Sequence, residues 1–340
     1  MLSKRFCRSS CVKLGSLFIM LMVLLLLGTT QAYAGQVSSN ASDQPRVEVT
    51  ISAFDQRYKL LDVYEDNEAA LTAFTKKHPG FLAGAKSFGL PELTVETASE
   101  YKSYAMGLDG VIAGDEFGDI LAFLDIYENP SENEFLKNEI LSLESAVDKE
   151  TISIDEAESQ AEKILPVGIE QRETPVALRN SGINLSNACN YAFKYATSYN
   201  SDYGYERTWY LAGADCTNFA SQILHAGGIG MDYHNDIASG WWWRSIGNRS
   251  LSWIQANTFA NYMGSGYNST SWNSLKNNVR AGDFIGYDSG DDGAVDHIGF
   301  VYSKSSTQGL RIAQHSADYL RWEGETGWPN ISGRYYRIRR

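Results

Sequence analysis

The chain has 340 residues, 43% of them hydrophobic and 12% aromatic, with 41 acidic against 29 basic side chains for a formal charge of −12. This composition excludes wholesale disorder, and the length allows about two domains of roughly 150 residues each. The charge is unevenly placed. Residues 1–34 carry four bases and no acid, residues 35–185 carry 28 acids and 12 bases, and residues 186–340 carry 13 of each. All eight tryptophans fall in the last segment, whose longest basic block is Arg339-Arg340. No nucleic-acid partner is expected from such a surface.

Lys4, Arg5, Arg8 and Lys13 precede an apolar run from Leu14 to Leu27, and Ala32-Tyr33-Ala34 follows. This is a signal-peptide pattern with cleavage expected after Ala34. The run is short of the roughly 20 residues that cross a bilayer, so no stable membrane insertion is expected once the peptide is removed. Cys7 and Cys11 leave with it. Cys189 and Cys216 remain, too few for a disulfide scaffold, and either pair with each other or include a free thiol.

Residues 35–46 read as a flexible leader and 47–165 as an acidic, mainly helical accessory domain. Val47, Val49 and Ile51 alternate as a strand does. Asn67 to Lys77 reads as a helix stopped by His78-Pro79-Gly80. Asp115 to Tyr127 and Ser131 to Val147 read as two helices separated at Asn129-Pro130, with Ser131 and Glu134 as a capping box. Ser153 to Leu165 reads as another helix. The acids suit solvated helix faces better than a calcium or inhibitory site. Residues 166–186 read as a linker.

In residues 187–340, Ala188, Tyr191, Ala192, Tyr195 and Ala196 form a helical stripe. A second helix begins at Asp215-Cys216-Thr217-Asn218-Phe219, keeps Phe219, Ile223 and Ala226 in register, and ends at Gly227-Gly228. Asp215 is the expected N-cap. Cys216 thus lies in the first turn, where free N–H groups and the helix dipole favour a thiolate. The same N–H groups suit an oxyanion. Trp241-Trp242-Trp243 suit either a glycan or peptide groove or a packed core. Ala281 to Tyr287 reads as a turn into a strand, and Asp288 to Gly293 as a hairpin turn, since Gly299 stands where a calcium loop needs Glu. Strands follow at Val295 to Tyr302 and Leu310 to His315. An antiparallel pairing of these can bring His297 and His315 side by side, which is what a catalytic Cys requires of a base and its orienting group. His78, His225 and His234 carry no ligand-like spacing, and a zinc site from His225, His297 and His315 lacks the paired helical histidines such sites use.

Asp215-Cys216-Thr217-Asn218-Phe219 with Ser221-Gln222 and Gly227-Gly228, then Gly282-Asp283, His297-Ile298-Gly299 and Gln314-His315, resembles the bacterial "putative amidase domain" family. That family is similar to papain-like cell-wall hydrolases of the CHAP and NlpC types, and the resemblance covers residues 187–340. It implies an α+β fold in which a nucleophile helix packs on an antiparallel sheet. It also implies a cysteine hydrolase with Cys216 as nucleophile, His297 as general base and His315 as orienting residue, with Gln314 or Asp318 as alternatives in the third role. No cofactor or metal is implied. The expected partner is peptidoglycan or another extracellular amide or peptide substrate. The rival readings are a wall-binding module with a Cys189–Cys216 disulfide and a metal-dependent amidase.

Overall fold

The structure is a computed structural model and describes residues 44–168, 182–205 and 215–338. The expected signal peptide, nearly all of the leader, and residues 169–181 of the expected linker lie outside the described residues.

Four short strands open the described chain: β1 (Arg46–Val47), β2 (Thr50–Ala53), β3 (Gln56–Lys59) and β4 (Val63–Tyr64). Helices α1 (Asn67–Lys77), α2 (Pro79–Phe88), α3 (Ala98–Gly107), α4 (Gly114–Asp148) and α5 (Ile154–Ile164) follow. Asp66 caps α1 through the Ala69 N–H, and Ser153 caps α5 through the Glu156 N–H. Beyond them come α6 (Leu185–Tyr195), α7 (Cys216–Ala226), β5 (Trp243–Ser245), β6 (Asn248–Arg249), α8 (Leu251–Ile254), α9 (Ala256–Met263), β7 (Ser265–Ser269) and α10 (Trp272–Asn278). The chain closes with β8 (Phe284–Asp288), β9 (His297–Ser305), β10 (Gly309–Gln314), β11 (Tyr319–Trp322) and β12 (Arg334–Ile338). No helix among the described residues is long and apolar enough to cross a membrane.

The central feature is a six-stranded sheet in the order β11-β10-β9-β8-β12-β7, every pairing antiparallel. Successive side chains on a strand point to opposite faces, and here each face has its own core. Ile285, Tyr287, Val301, Ile312 and Tyr335 join a cluster that includes Phe74, Phe81, Phe117, Phe123 and Tyr127 of the N-terminal helices. Phe284, Ile298, Phe300, Ala313 and Tyr336 join another that includes Ala188 and Ala192 of α6, Phe219 and Ile223 of α7, and Phe259 of α9. The fold is therefore α+β in three layers. The acidic N-terminal segment buries one face of the sheet, and the helix that begins with Cys216 buries the other.

Pro130 lies inside α4, where two separate helices were expected. An internal proline removes one helix hydrogen bond and costs about 3 kcal/mol. Side chains on either side of it tie the helix down: Asn129 Nδ2 donates to the Asp62 carbonyl and to Asp292, and Asn133 bonds both the N–H and the carbonyl of Leu61. With Ser131 inside the helix, the expected capping box has no free N–H to cap.

Trp241, Trp242, Trp243 and Trp253 are buried core residues and not a groove lining. Two of their indoles serve the Cys216 helix. Trp241 Nε1 donates to Ser221 Oγ at 2.9 Å, and Trp253 Nε1 donates to Asn218 Oδ1 at 2.9 Å.

Candidate active site

Cys216, His297 and Gln314 mark the first residue of α7, the first of β9 and the last of β10. All lie toward one end of the sheet, and all are nearly inaccessible. The backbone N–H groups of Ile298 and Thr217 are directed at the Cys216 sulfur. The nucleophile candidate therefore sits beside the residue that follows His297. Tyr287, the cross-strand partner of His297, stacks on the imidazole with 5.1 Å between centroids.

The hydrogen bonds around His297 determine where its proton is. Gln314 Oε1 lies 3.0 Å from His297 Nε2 and accepts from Trp328 Nε1 at 2.7 Å. An indole N–H can only donate, so the end of the amide facing it is the oxygen. At its other end the amide Nε2 faces Asp109 Oδ2 at 3.3 Å, which is where a donor is required. With the amide fixed from both ends, His297 Nε2 must carry the hydrogen. Nδ1 is then the bare nitrogen, buried and without a hydrogen-bond partner among the described residues. Burial pushes the His297 pKa down to about 4 against the opposing pull of Gln314 and of the Asp109 and Asp296 charges. The ring is a neutral base at neutral pH.

Cys216 departs from the expectation of a lowered pKa. Burial pushes its thiol up, and the adjacent Asp215 charge adds to that. Hydrogen bonds from Thr217 and the Ile298 N–H pull the other way but do not prevail. The helix start does favour an anion, but burial outweighs it.

His315 is not brought to His297. Its Nδ1 is held by Asp215 in a short contact, its Nε2 lies 2.8 Å from the Tyr195 carbonyl, and its ring stacks on Phe219 at 3.8 Å and 3°. A carboxylate and a carbonyl both accept, so both ring nitrogens carry hydrogen and the ring is an imidazolium. Burial opposes that charge, but Asp215 prevails and holds the pKa above the ordinary value. Strand alternation explains the difference. Ala313 pairs with Phe300, and Ile312 with Val301. Gln314 therefore shares the face of Val301, Gly299 and His297, whereas one further residue turns His315 to the α7 side. Asp318 also lies on that side, where it accepts from Tyr205 at 3.4 Å.

The motif around Cys216 is accounted for residue by residue. Asp215 stands at the N-cap position as expected but makes no side-chain cap bond; it accepts from Asn218 Nδ2 at 2.8 Å and holds His315. Ser221 Oγ donates to the Trp253 carbonyl, and Gln222 Oε1 accepts from Tyr191.

Residues 182–337 match the family described as "Putative amidase domain". That match supports a hydrolase acting on amide bonds. The curated relatives include two uncharacterized proteins of Bacillus subtilis (strain 168), YhbB at 31% identity over 132 residues and YjcM at 30% over 142. These alignments take in 36% and 39% of this chain and only 42% and 31% of the relatives' own lengths. No solved structure matches.

Neither rival reading gathers the groups it needs. Cys189 and Cys216 are both free thiols, and Cys189 Sγ is directed at the Tyr302 carbonyl, 3.5 Å away. His225 Nδ1 is bonded to the Ile229 carbonyl, so His225, His297 and His315 face three different partners.

One group of carboxylates, Asp125, Asp288 and Asp296, brings its oxygens within 4.8 Å of one another. Backbone N–H groups already serve it: those of Asp292 and Gly293 donate to Asp288, that of Gly290 to Asp125, and that of Ser289 to Asp296. A cation is supplied by Lys102, whose Nζ reaches Asp125 at 3.0 Å, Asp296 at 3.2 Å and, in a short contact, Glu128. Burial disfavours the ammonium, but these acids hold its pKa well above the ordinary value. The network fastens α3 and α4 to the loop that delivers His297.

Two participants had no recognised sequence signal. Trp328 is one of eight tryptophans with nothing to set it apart, and Asp109 lies outside the matched residues in a segment read as accessory. Gln314 was signalled, since the alternation that placed His297 also selects it.

Proposed function

We propose that this chain is a cysteine-dependent hydrolase of amide bonds, with Cys216 as nucleophile, His297 as general base and acid, and Gln314 orienting His297. The observation that carries this reading is the bare, partnerless Nδ1 of His297, on the residue next to Ile298, whose N–H is directed at the Cys216 sulfur. The match to an amidase family supports the class of bond.

The resting pair is a neutral thiol and a neutral imidazole. As the sulfur attacks the amide carbonyl carbon, its proton passes to His297 Nδ1 and the carbonyl oxygen becomes an oxyanion, which the N–H groups at the start of α7 are placed to receive. Collapse breaks the C–N bond. His297 gives its proton to the departing amine, leaving a thioester on Cys216. Water then attacks that thioester while Nδ1 takes its proton, and cleavage of the C–S bond returns the thiol and releases a carboxylic acid. The order of Cys, His and a polar third residue is that of papain-like enzymes, which supports the same division of roles here.

The substrate we propose is peptidoglycan, cut at the sugar-to-peptide amide or within the stem peptide, reached after export by residues 1–34. The test incubates the wild-type protein and Cys216→Ala with purified cell walls and reads released fragments by mass spectrometry. Fragments from the wild type alone are expected, and their masses name the bond; equal release by both proteins would refute the nucleophile.

A further inference from the structure

Asp109 lies just beyond α3, on the N-terminal layer, yet its carboxylate ends among residues of the other half of the chain. It accepts from Tyr319 Oη at 2.5 Å, from Gln314 Nε2 at 3.3 Å and, in a short contact, from the Gly327 N–H. It is 5% exposed. The Gly327 N–H and the Gln314 amide nitrogen can only donate, so both carboxyl oxygens serve as acceptors, while burial pushes the Asp109 pKa up against these hydrogen bonds. The same residue fixes two things that bear on His297. It holds the nitrogen end of Gln314, and it anchors Gly327, the residue before Trp328, whose indole holds the oxygen end.

We propose that Asp109 is a positioning residue of the active site, supplied by the N-terminal segment, which sets the His297 tautomer by fixing the Gln314 amide from both ends. This rests on the hydrolase reading of Cys216 and His297. A Gln314 amide turned by 180° would present a donor to Nε2, move the ring hydrogen to Nδ1 and leave no lone pair for the thiol proton. Trp328 alone opposes that turn if Asp109 is lost. The Asp109 charge also favours the imidazolium that forms during reaction, since it raises the affinity of His297 for a proton. The segment 44–168 is then neither a spacer nor a detachable inhibitor, because the site is incomplete without it.

The experiment records the ¹⁵N resonances of His297 in the full-length protein for the wild type, Asp109→Asn and Tyr319→Phe, with thermal unfolding of each. The wild type should show Nε2–H and a bare Nδ1, and Asp109→Asn a mixture of tautomers. Tyr319→Phe, which removes a different donor from the same carboxylate, should keep the wild-type tautomer. Should Asn at this position prevent folding, Asp109→Ser is read in the same way. With cell walls as substrate, kcat should fall by about tenfold or more in Asp109→Asn, with KM within about twofold, as befits a misplaced proton on the base. An unchanged tautomer in folded Asp109→Asn overturns the inference, as does an equal loss in Tyr319→Phe, which would mark general loosening. The spectra need no substrate. A failure of Cys216→Ala to abolish hydrolysis would overturn the hydrolase reading while leaving the tautomer result to stand or fall by itself.

Discussion

Asp215 and His315, a hundred residues apart in sequence, form a buried ion pair that joins the start of α7 to the residue just beyond β10. Removing one partner of such a pair leaves the other charge buried and uncompensated, at a cost of about 3–5 kcal/mol. His315→Gln should therefore unfold at a clearly lower temperature than the wild type at pH 6. The pH dependence has a definite sign. His315 has a folded pKa above the 6.5 of an ordinary imidazole, so its stabilisation is complete below that value and is lost as the pH rises through the folded pKa. The difference in melting temperature between wild type and His315→Gln should shrink with increasing alkalinity. A difference that grows would contradict the imidazolium assignment.

His297 titrates in the opposite sense. Its pKa is pushed down to about 4 by burial, so the neutral base persists well into acid. The acid limb of kcat/KM is expected near pH 4, not near the 6.5 of an ordinary imidazole. The unfolded state binds this proton below about 6.5, so His297 also subtracts stability as the pH falls toward 4. Hydrolysis rates from pH 3 to 8 check the limb, and a midpoint at 6 or above would mean that His297 is not the base.

The sequence made the sheet faces and helix starts legible wherever a local pattern decided them. Asn67 to Lys77 and the start of α7 are found where side-chain spacing and turn residues place them. The single α4 was not legible, because the interactions that carry it through Pro130 come from Leu61, Asp62 and Asp292, remote in sequence. The third member of the candidate site was within reach: Gln314 and His315 differ by one residue, and one residue is a whole face of a strand. Asp109 was out of reach, since a lone acid in an acidic segment has no periodicity to mark it.

Lys102 Nζ lies within hydrogen-bond reach of Asp125, Glu128 and Asp296. Lys102→Met keeps the length of the side chain and removes the charge. Burial already pushes the Asp125 and Glu128 carboxyls up, whereas Lys102 holds Asp296 ionised; without Lys102 that buried charge has lost its partner, so a loss of about 3–5 kcal/mol is expected at pH 7, measured by chemical denaturation. The loss should lessen in acid, as protonation of Asp296 removes that charge. Because Asp296 precedes His297, folded Lys102→Met should also hydrolyse more slowly. A variant as stable as the wild type would remove the network from any account of how the two halves of the chain are held together.

Gly299 shows how closely the site depends on the packing beneath it. A Cβ at this position would lie 2.8 Å from Trp328 Cζ2 and 3.0 Å from Ile312 Cγ2, inside van der Waals contact. Trp328 is buried and stands in contact with Tyr287 and His297, so its ring cannot swing into solvent to make room. Gly299→Ala must displace either the indole or β9. Overpacking of this kind costs about 1–3 kcal/mol, and displacement of the indole also lengthens the 2.7 Å bond that fixes Gln314 Oε1. The variant should therefore lose activity beyond what its lowered melting temperature explains, with kcat falling at temperatures where the protein is fully folded. Gly299→Ala paired with Trp328→Phe separates the two effects: the smaller ring relieves the clash and restores stability, but it lacks the N–H and cannot restore kcat. Recovery of both together would show that the indole hydrogen bond to Gln314 has no part in the reaction.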